Sequence, residues 1–385
     1  MKTIFLTCCA FVMLWGCKSE KKGKDLFAAT TISKPPTPTL PEEEKKKYHD
    51  LVSHFVESTF KRGSFNGSIL VAKNGVPVYE AYLGYQDIRK KTDTLTENSV
   101  FQIASTSKPF TAAAVLKLAE QNKIDLNALV SQYLPGFPYP EVTIKSLLTH
   151  RSGLPNYLYY MDKGDWDRKV LATNADVINT LQNWQPPRAF KPNTAFNYCN
   201  TNYVLLAAIV EKVSGITFPE FLKQNFFEPL GMTNTYVHTI QDSAHTVPSF
   251  DGYGAQWALD FSDGPYGDKN IYSTPKDLLK WDQGWYNGII SNSLMDSAFL
   301  PYSNEKPSMH NYGLGWRLLM LPNGKKVIYH HGRWHGFNSC FARLTDEKVT
   351  IIVLTNKFNR SIYGITRKMY NLFGSYDEHE GPAEE

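Results

Sequence analysis

The stretch Ser105-Thr106-Ser107-Lys108-Pro109-Phe110-Thr111-Ala112-Ala113-Ala114-Val115-Leu116-Lys117-Leu118-Ala119-Glu120 sets a serine three residues ahead of a lysine, where an apolar helix begins. Strong helix formers fill the run after Lys108, and its one proline falls in the first turn, where a missing N–H costs nothing. Ser105 is therefore predicted at a helix mouth, where the N-terminal dipole favours a developing alkoxide. Residues i and i+3 share a helix face, so the Lys108 amine can reach the Ser105 hydroxyl. A desolvated lysine sheds its proton more readily, and the neutral amine can then take the serine proton. Taken alone, the same four residues read equally as an N-cap serine followed by a solvated lysine.

Two further motifs follow in order: Tyr198-Cys199-Asn200 well downstream, and His330-His331-Gly332 on a predicted strand near the end. The series Ser-x-x-Lys, Tyr-x-Asn, His-x-Gly resembles the serine β-lactamase and penicillin-binding protein superfamily, whose third motif is Lys-Thr-Gly or His-x-Gly. The nearest branch looks like class C β-lactamases, DD-peptidases and related esterases. Phe101-Gln102-Ile103-Ala104, Leu147-Leu148-Thr149-His150-Arg151-Ser152-Gly153-Leu154-Pro155 and Tyr198-Cys199-Asn200-Thr201-Asn202-Tyr203 carry the same resemblance. So do Pro229-Leu230-Gly231-Met232, Tyr272-Ser273-Thr274-Pro275-Lys276-Asp277-Leu278 and Tyr312-Gly313-Leu314-Gly315-Trp316, and the similar region runs from about residue 48 to 373.

The resemblance implies an acyl-enzyme on Ser105, with Lys108 and Tyr198 sharing proton transfer. A neutral tyrosine is a poor base, so Lys108 has to lie beside it. Asn200 is implied to orient the substrate carbonyl or the lysine, and backbone N–H groups of Ser105 and Arg333 to form the oxyanion hole. Gly332 would let the strand approach substrate closely. His330 stands where the β-lactamases carry lysine, which weakens the permanent cation that would hold a β-lactam carboxylate. Arg333 is the alternative cation, while Trp334 and His335 either shape an acyl pocket or merely pack. The expected activity is that of a serine acyl-hydrolase on ester or amide substrates, D-amino-acid peptides of the cell wall among them. A β-lactamase, or a surface binding protein that keeps the fold, is the alternative.

The chain has 385 residues, 42% of them hydrophobic, enough for a substantial core. A formal net charge of +4, with several lysines among the first 24 residues, implies no basic face for nucleic acid. His330, His331 and His335 invite a metal reading, but neighbours on a strand point to opposite faces and no His-Glu-x-x-His helix motif occurs. There is no Gly-x-Ser-x-Gly elbow and no glycine-rich phosphate loop, and no cofactor is implied.

Residues 1–17 read as a lipoprotein-type signal peptide: Lys2, an apolar stretch from Ile4 to Trp15, then Gly16-Cys17. Leu14-Trp15-Gly16-Cys17 resembles the bacterial lipobox, although Trp15 departs from the small residue usual there; an ordinary secretory signal is the competing reading. Lipidation at Cys17 would tether the protein to a membrane of the cell envelope. Cys199 and Cys340 are then the thiols left in the folded domain, expected as two buried free cysteines, with a disulfide between them the alternative that sequence leaves open.

Residues 18–47, charged and carrying Pro35-Pro36, Pro38 and Pro41, read as a flexible tether. Leu51, Val52, Phe55, Val56 and Phe60 predict an amphipathic first helix. Ser68 to Ala72 and Val76 to Tyr82 flank Lys73-Asn74-Gly75, a hairpin signal. Helical and loop-rich segments fill about 96–260. Lys326 to His331, Ser339 to Leu344 and Val349 to Leu354 read as strands, and Ile362, Ile365, Met369 and Leu372 as a closing helix. The fold expected is α+β: an antiparallel sheet flanked by N- and C-terminal helices, with an inserted helical lobe. The domain would span 48–375, followed by an acidic tail, 376–385.

Overall fold

The computed structural model describes residues 38–60, 65–164, 166–245 and 247–377. The signal peptide, Cys17, residues 18–37 of the tether and residues 378–385 of the tail lie outside the described residues. Helix α1 (Glu42–Thr59) leads into strands β1 (Gly67–Lys73) and β2 (Val76–Leu83). Strand β3 (Phe101–Gln102) and a 3-10 turn, Ala104–Ser107, precede α2 (Lys108–Glu120). A helical stretch follows: α3 (Val130–Tyr133), α4 (Ile144–Leu148), α5 (Tyr157–Lys163), α6 (Asn174–Trp184), α7 (Asn200–Ser214) and α8 (Phe218–Leu222). After β4 (Tyr236–Val237) and β5 (Ile271–Ser273) come α9 (Pro275–Tyr286) and α10 (Asn292–Ala298). Strands β6 (His310–Tyr312), β7 (Arg317–Met320), β8 (Lys326–Trp334), β9 (Phe337–Leu344) and β10 (Val349–Thr355) and helix α11 (Ser361–Met369) complete the chain.

Seven strands form one antiparallel sheet in the order β2-β1-β10-β9-β8-β7-β6, so the first and last strands of the chain pair near its middle. The β1–β2 hairpin turns at Asn74 and Gly75, both with positive φ, as an Asn-Gly two-residue turn requires. Every residue of β9 and β10 is buried, because both faces of the sheet are covered there. On one face Val52 and Val56 of α1 and Ile362 and Met369 of α11 pack on Ile69, Val71, Ala342, Ile351 and Val353. On the other, Asp282 of α9 accepts from Arg343 Nε at 2.6 Å and from Thr350 Oγ1 at 2.7 Å, pinning that helix to β9 and β10. The expected α+β sheet with terminal helices and an inserted helical region is what the chain forms.

Several boundaries differ from the sequence reading. Helix α1 starts at Glu42, so residues 42–47 belong to the domain rather than to the tether. Their charges decorate the solvated side of an amphipathic helix: Glu42, Glu43 and Glu44 sit in its first turn, where the dipole favours them, and Lys46 pairs with Asp50 at 2.7 Å. Leu51, expected on the apolar face, is exposed, while Val52, Val56 and Phe60 are buried. At the other end Tyr376 is buried and donates its hydroxyl to Glu347, so it closes the core instead of opening a tail. A small sheet, β3-β5-β4, and the strands β6 and β7 at one end of the large sheet were not foreseen; two to four residues carry too little periodicity to read.

The Asp282–Arg343 pair is fully buried, so removing one partner strands a charge. Arg343→Leu is expected to lower unfolding free energy by about 3 kcal/mol or more. Equilibrium denaturation checks this; a loss under about 1 kcal/mol would show that α9 does not depend on the pair.

Candidate active site

Ser105 lies in the 3-10 turn, one turn before the α-helix that starts at Lys108, so the α2 mouth opens three residues later than the sequence suggested. Ala104, immediately before it, has φ +48°, a strained value for a residue with a Cβ. The turn is held from two sides. Ser339 Oγ on β9 donates to the Ile103 carbonyl at 2.7 Å and lies 2.8 Å from Thr106 Oγ1, while Ser107 Oγ accepts from the Ile271 N–H of β5 at 3.1 Å. Gly332 of β8 presses against the same turn: a Cβ there would stand 2.2 Å from the Ile103 carbonyl oxygen and 2.9 Å from the Ser105 nitrogen. Only glycine permits this approach.

Lys108 is completely buried. Its Nζ lies 3.1 Å from Ser105 Oγ, 2.9 Å from Asn200 Oδ1 and 2.8 Å from the Asp268 carbonyl oxygen. In the neutral amine two N–H groups donate to Asn200 and Asp268, and the lone pair is left facing Ser105. The Tyr198 ring centroid is 4.8 Å from the same nitrogen, and the Tyr198 hydroxyl is buried with no hydrogen-bond partner among the described residues. Asn200 begins α7, so one loop-to-helix junction delivers Tyr198 and Asn200 together. His150 braces that junction: its Nδ1 accepts from the Cys199 N–H at 3.1 Å and its ring lies 4.3 Å from that of Tyr198.

Ser105, Tyr198, Asn200, Gly332 and Arg333 line one cleft of about 620 Å3 together with Asp268, Lys269, Arg317, His331, Trp257, Trp334 and His335. Trp334 and His335 thus do both things considered for them. They wall the cleft, and they pack, since both reach the Asp263 carboxylate, at 2.6 Å from Trp334 Nε1 and 2.9 Å from His335 Nε2.

His330 is the departure. It does not line the cleft; its Nδ1 faces the His331 carbonyl at 2.8 Å and its Nε2 faces the Tyr312 hydroxyl at 3.2 Å. The His331 carbonyl needs a proton on Nδ1, and burial, reinforced by Arg317 and Lys108, pushes the pKa well below the ordinary histidine value, so the ring is neutral and its Nε2 accepts from the Tyr312 hydroxyl. His330 is therefore a buried link behind Tyr198 and cannot act as the expected substrate contact. His331 turns to the other side, between the rings of Tyr329 and Tyr363, and burial holds its pKa at about 3. His330, His331 and His335 accordingly do not converge on a common point. Cys199 and Cys340 are both free and buried.

The sequence reading missed Arg317, Asp268 and Lys269. Arg317 follows directly on the Tyr312 to Trp316 motif, and its guanidinium lies 5.1 Å from the Tyr198 ring centroid. Lys269 and Asp268 come just before the Tyr272 to Leu278 motif. Their signal was a charged residue at the edge of a recognised stretch, which composition alone does not distinguish from a solvated one.

A sheet-and-helix fold with a Ser-x-x-Lys turn facing a His-x-Gly strand defines a class of serine hydrolases. The Beta-lactamase family model matches residues 49–371, and the chain belongs to that family. It is 33% identical over 363 residues to penicillin-binding protein 4* of Bacillus subtilis (strain 168), covering 89% of this chain and 80% of that protein. Among solved structures, a penicillin-binding protein from Bacillus halodurans superposes with a TM-score of 0.73 at 24% identity, covering 84% of this chain and 99% of that one. A D-amino acid amidase from Ochrobactrum anthropi SV3 superposes with a TM-score of 0.68 at 20% identity, over 84% and 98% of the two chains. At these identities the two structures show the shared fold.

Gly332→Ala puts a methyl group into the backbone of the Ser105 turn. The expected outcome is a fall of about 100-fold or more in the rate of acylation by an activated ester, with circular dichroism retained. Unchanged acylation would mean that the strand does not set the geometry of the turn.

Proposed function

We propose that the protein is a metal-independent serine hydrolase that forms an acyl-enzyme on Ser105 with ester or amide substrates, amides and peptides of D-amino acids among them. The observation that carries this reading is the Lys108 amine, 3.1 Å from Ser105 Oγ with its remaining directions taken by Asn200 and Asp268. Neutral Lys108 takes the Ser105 proton, directly or through the Tyr198 hydroxyl, as Oγ bonds to the substrate carbonyl carbon. The carbonyl electron pair moves to oxygen, beside the backbone N–H groups of Ser105 and Arg333. Collapse breaks the bond to the leaving oxygen or nitrogen, which receives the proton. Water then attacks the ester by the reverse proton route and frees Ser105.

Arg333 on the lining favours a substrate that carries a carboxylate, which a guanidinium pairs well. The likeness to penicillin-binding proteins and to a D-amino acid amidase supports amide chemistry. The burial of His330 removes one cation from the place where β-lactamases carry lysine, which favours peptides and esters over rapid β-lactam turnover. We further propose that the protein is exported and held at a membrane through Cys17, a reading that rests on Leu14-Trp15-Gly16-Cys17.

The test is hydrolysis by the full-length protein of a p-nitrophenyl acyl ester, a D-alanyl-D-alanine peptide, a D-amino acid amide and a penicillin. Turnover of an ester or D-amino-acid substrate, with kcat/KM reduced about 1000-fold or more in folded Ser105→Ala, is expected. Turnover confined to penicillin makes the protein a β-lactamase, and turnover of none of the four makes it a binding protein.

A further inference from the structure

Lys269 is a second lysine beside Lys108. It is 2% exposed, and its Nζ donates to the Tyr157 hydroxyl, lies 3.4 Å from Asp268 Oδ2 and sits 4.6 Å from the Trp334 ring centroid. The Tyr157 hydroxyl in turn donates to Asp268 Oδ2 at 3.2 Å. Tyr157 is itself anchored on α7, its N–H donating to Thr201 Oγ1 at 2.7 Å. The other Asp268 oxygen, Oδ1, is buried with no partner among the described residues. The backbone just ahead of Lys269 runs along α2: the Gly267 carbonyl accepts from Thr111 Oγ1 at 2.6 Å, and the Asp268 carbonyl accepts from Lys108 Nζ at 2.8 Å.

We propose that Lys269 is a positioning residue for the Ser105 chemistry: clamped by Tyr157 and Asp268, it holds the Asp268 carbonyl on Lys108 and balances the Asp268 charge beside it. The inference rests on the reading of Lys108 as the acceptor of the Ser105 proton. A carboxylate does not stay buried beside a proton acceptor unless it is paired, and apolar residues fill such space at no loss of stability. What the pair adds is control of charge. A lone carboxylate next to Lys108 would favour its protonated form and a lone ammonium would oppose it, whereas the pair presents nearly no net charge. Burial pulls the Lys269 pKa below the ordinary lysine value, Asp268 and Asp263 pull it back up, and Lys108 adds a repulsive push. The charge on Lys269 is therefore felt at Lys108.

The groups facing this pair of lysines come from every neighbouring element. Tyr157 on α5, Tyr198, Asn200 and Tyr203 at α7, His150 after α4, Asp263 ahead of β5, Arg317 on β7 and His330 on β8 surround them, with His335 beyond on Asp263. His150 and His330 are held well below the ordinary histidine pKa by burial, with Lys108 and Arg317 adding to it. They carry no charge change into the range where a lysine base is titrated.

The experiment is the pH profile of ester kcat/KM for the full-length protein and five variants, each checked by circular dichroism: Ser105→Ala, Lys269→Met, Lys269→Arg, Asp268→Asn, and Asp268→Asn combined with Lys269→Met. Lys269→Met removes a positive charge and uncovers a negative one, so the acid limb is expected to move up by about one pH unit, with kcat/KM about tenfold lower on that limb. Asp268→Asn does the opposite and moves the limb down. Lys269→Arg leaves it in place, and the double variant falls between the two single ones. If Lys269→Met does not fold, the limb of Asp268→Asn must still lie below that of the double variant, which buries no unpaired charge. A limb that stays fixed, or moves the same way in both single variants, overturns the proposal while leaving the Ser105 reading intact. Turnover that survives Ser105→Ala overturns that reading and the proposal with it.

Discussion

The Lys108 amine is the point on which the rest of the arrangement turns. It is buried, and each of its three hydrogen-bonding directions ends on an oxygen from a different part of the chain: the 3-10 turn, the start of α7 and the segment before β5. A buried amine without those partners would cost several kcal/mol, so the three segments are held together by the same contacts that aim the nitrogen at Ser105. Thr111, one turn further on, ties α2 to Gly267, and Ser107, just before the helix, ties its start to Ile271.

Around that amine the protein keeps charge under tight control. Two histidines close to Tyr198 are neutral because they are buried, and each has its ring fixed by a backbone group: His150 by the Cys199 N–H, His330 by the His331 carbonyl. Two guanidinium groups, Arg317 and Arg333, reach the cleft together with Lys269. Under the proposed reading the cleft wall would meet a charged substrate, while Lys108 and Tyr198 would handle the proton beside Ser105. Gly332 lets the strand lie directly on the Ser105 turn.

Much of this was legible in the residues. The Asn74-Gly75 turn, the three long C-terminal strands, the terminal helices and the i,i+3 reach from Ser105 to Lys108 all depend on local pattern, and all appear. What was not legible depends on contacts between residues far apart in the chain. Nothing near Lys269 indicates that it lies against a tyrosine 112 positions earlier, or that the Asp268 carbonyl meets a lysine 160 positions earlier. His330 was misread for a related reason: a motif specifies that a side chain is present, not which side of its strand is wet. Residues 42–47 looked like tether because charge on the solvated face of a helix has the composition of a linker.

The most direct measurement of the central claim is peptide-level mass spectrometry after treating the full-length protein with a fluorophosphonate, which marks an activated serine irreversibly and does not depend on turnover. The account requires a single phosphonyl group on Ser105, absent from Ser105→Ala and formed more slowly in Lys108→Ala. Labelling at another residue, or none at Ser105 in folded protein, would contradict it.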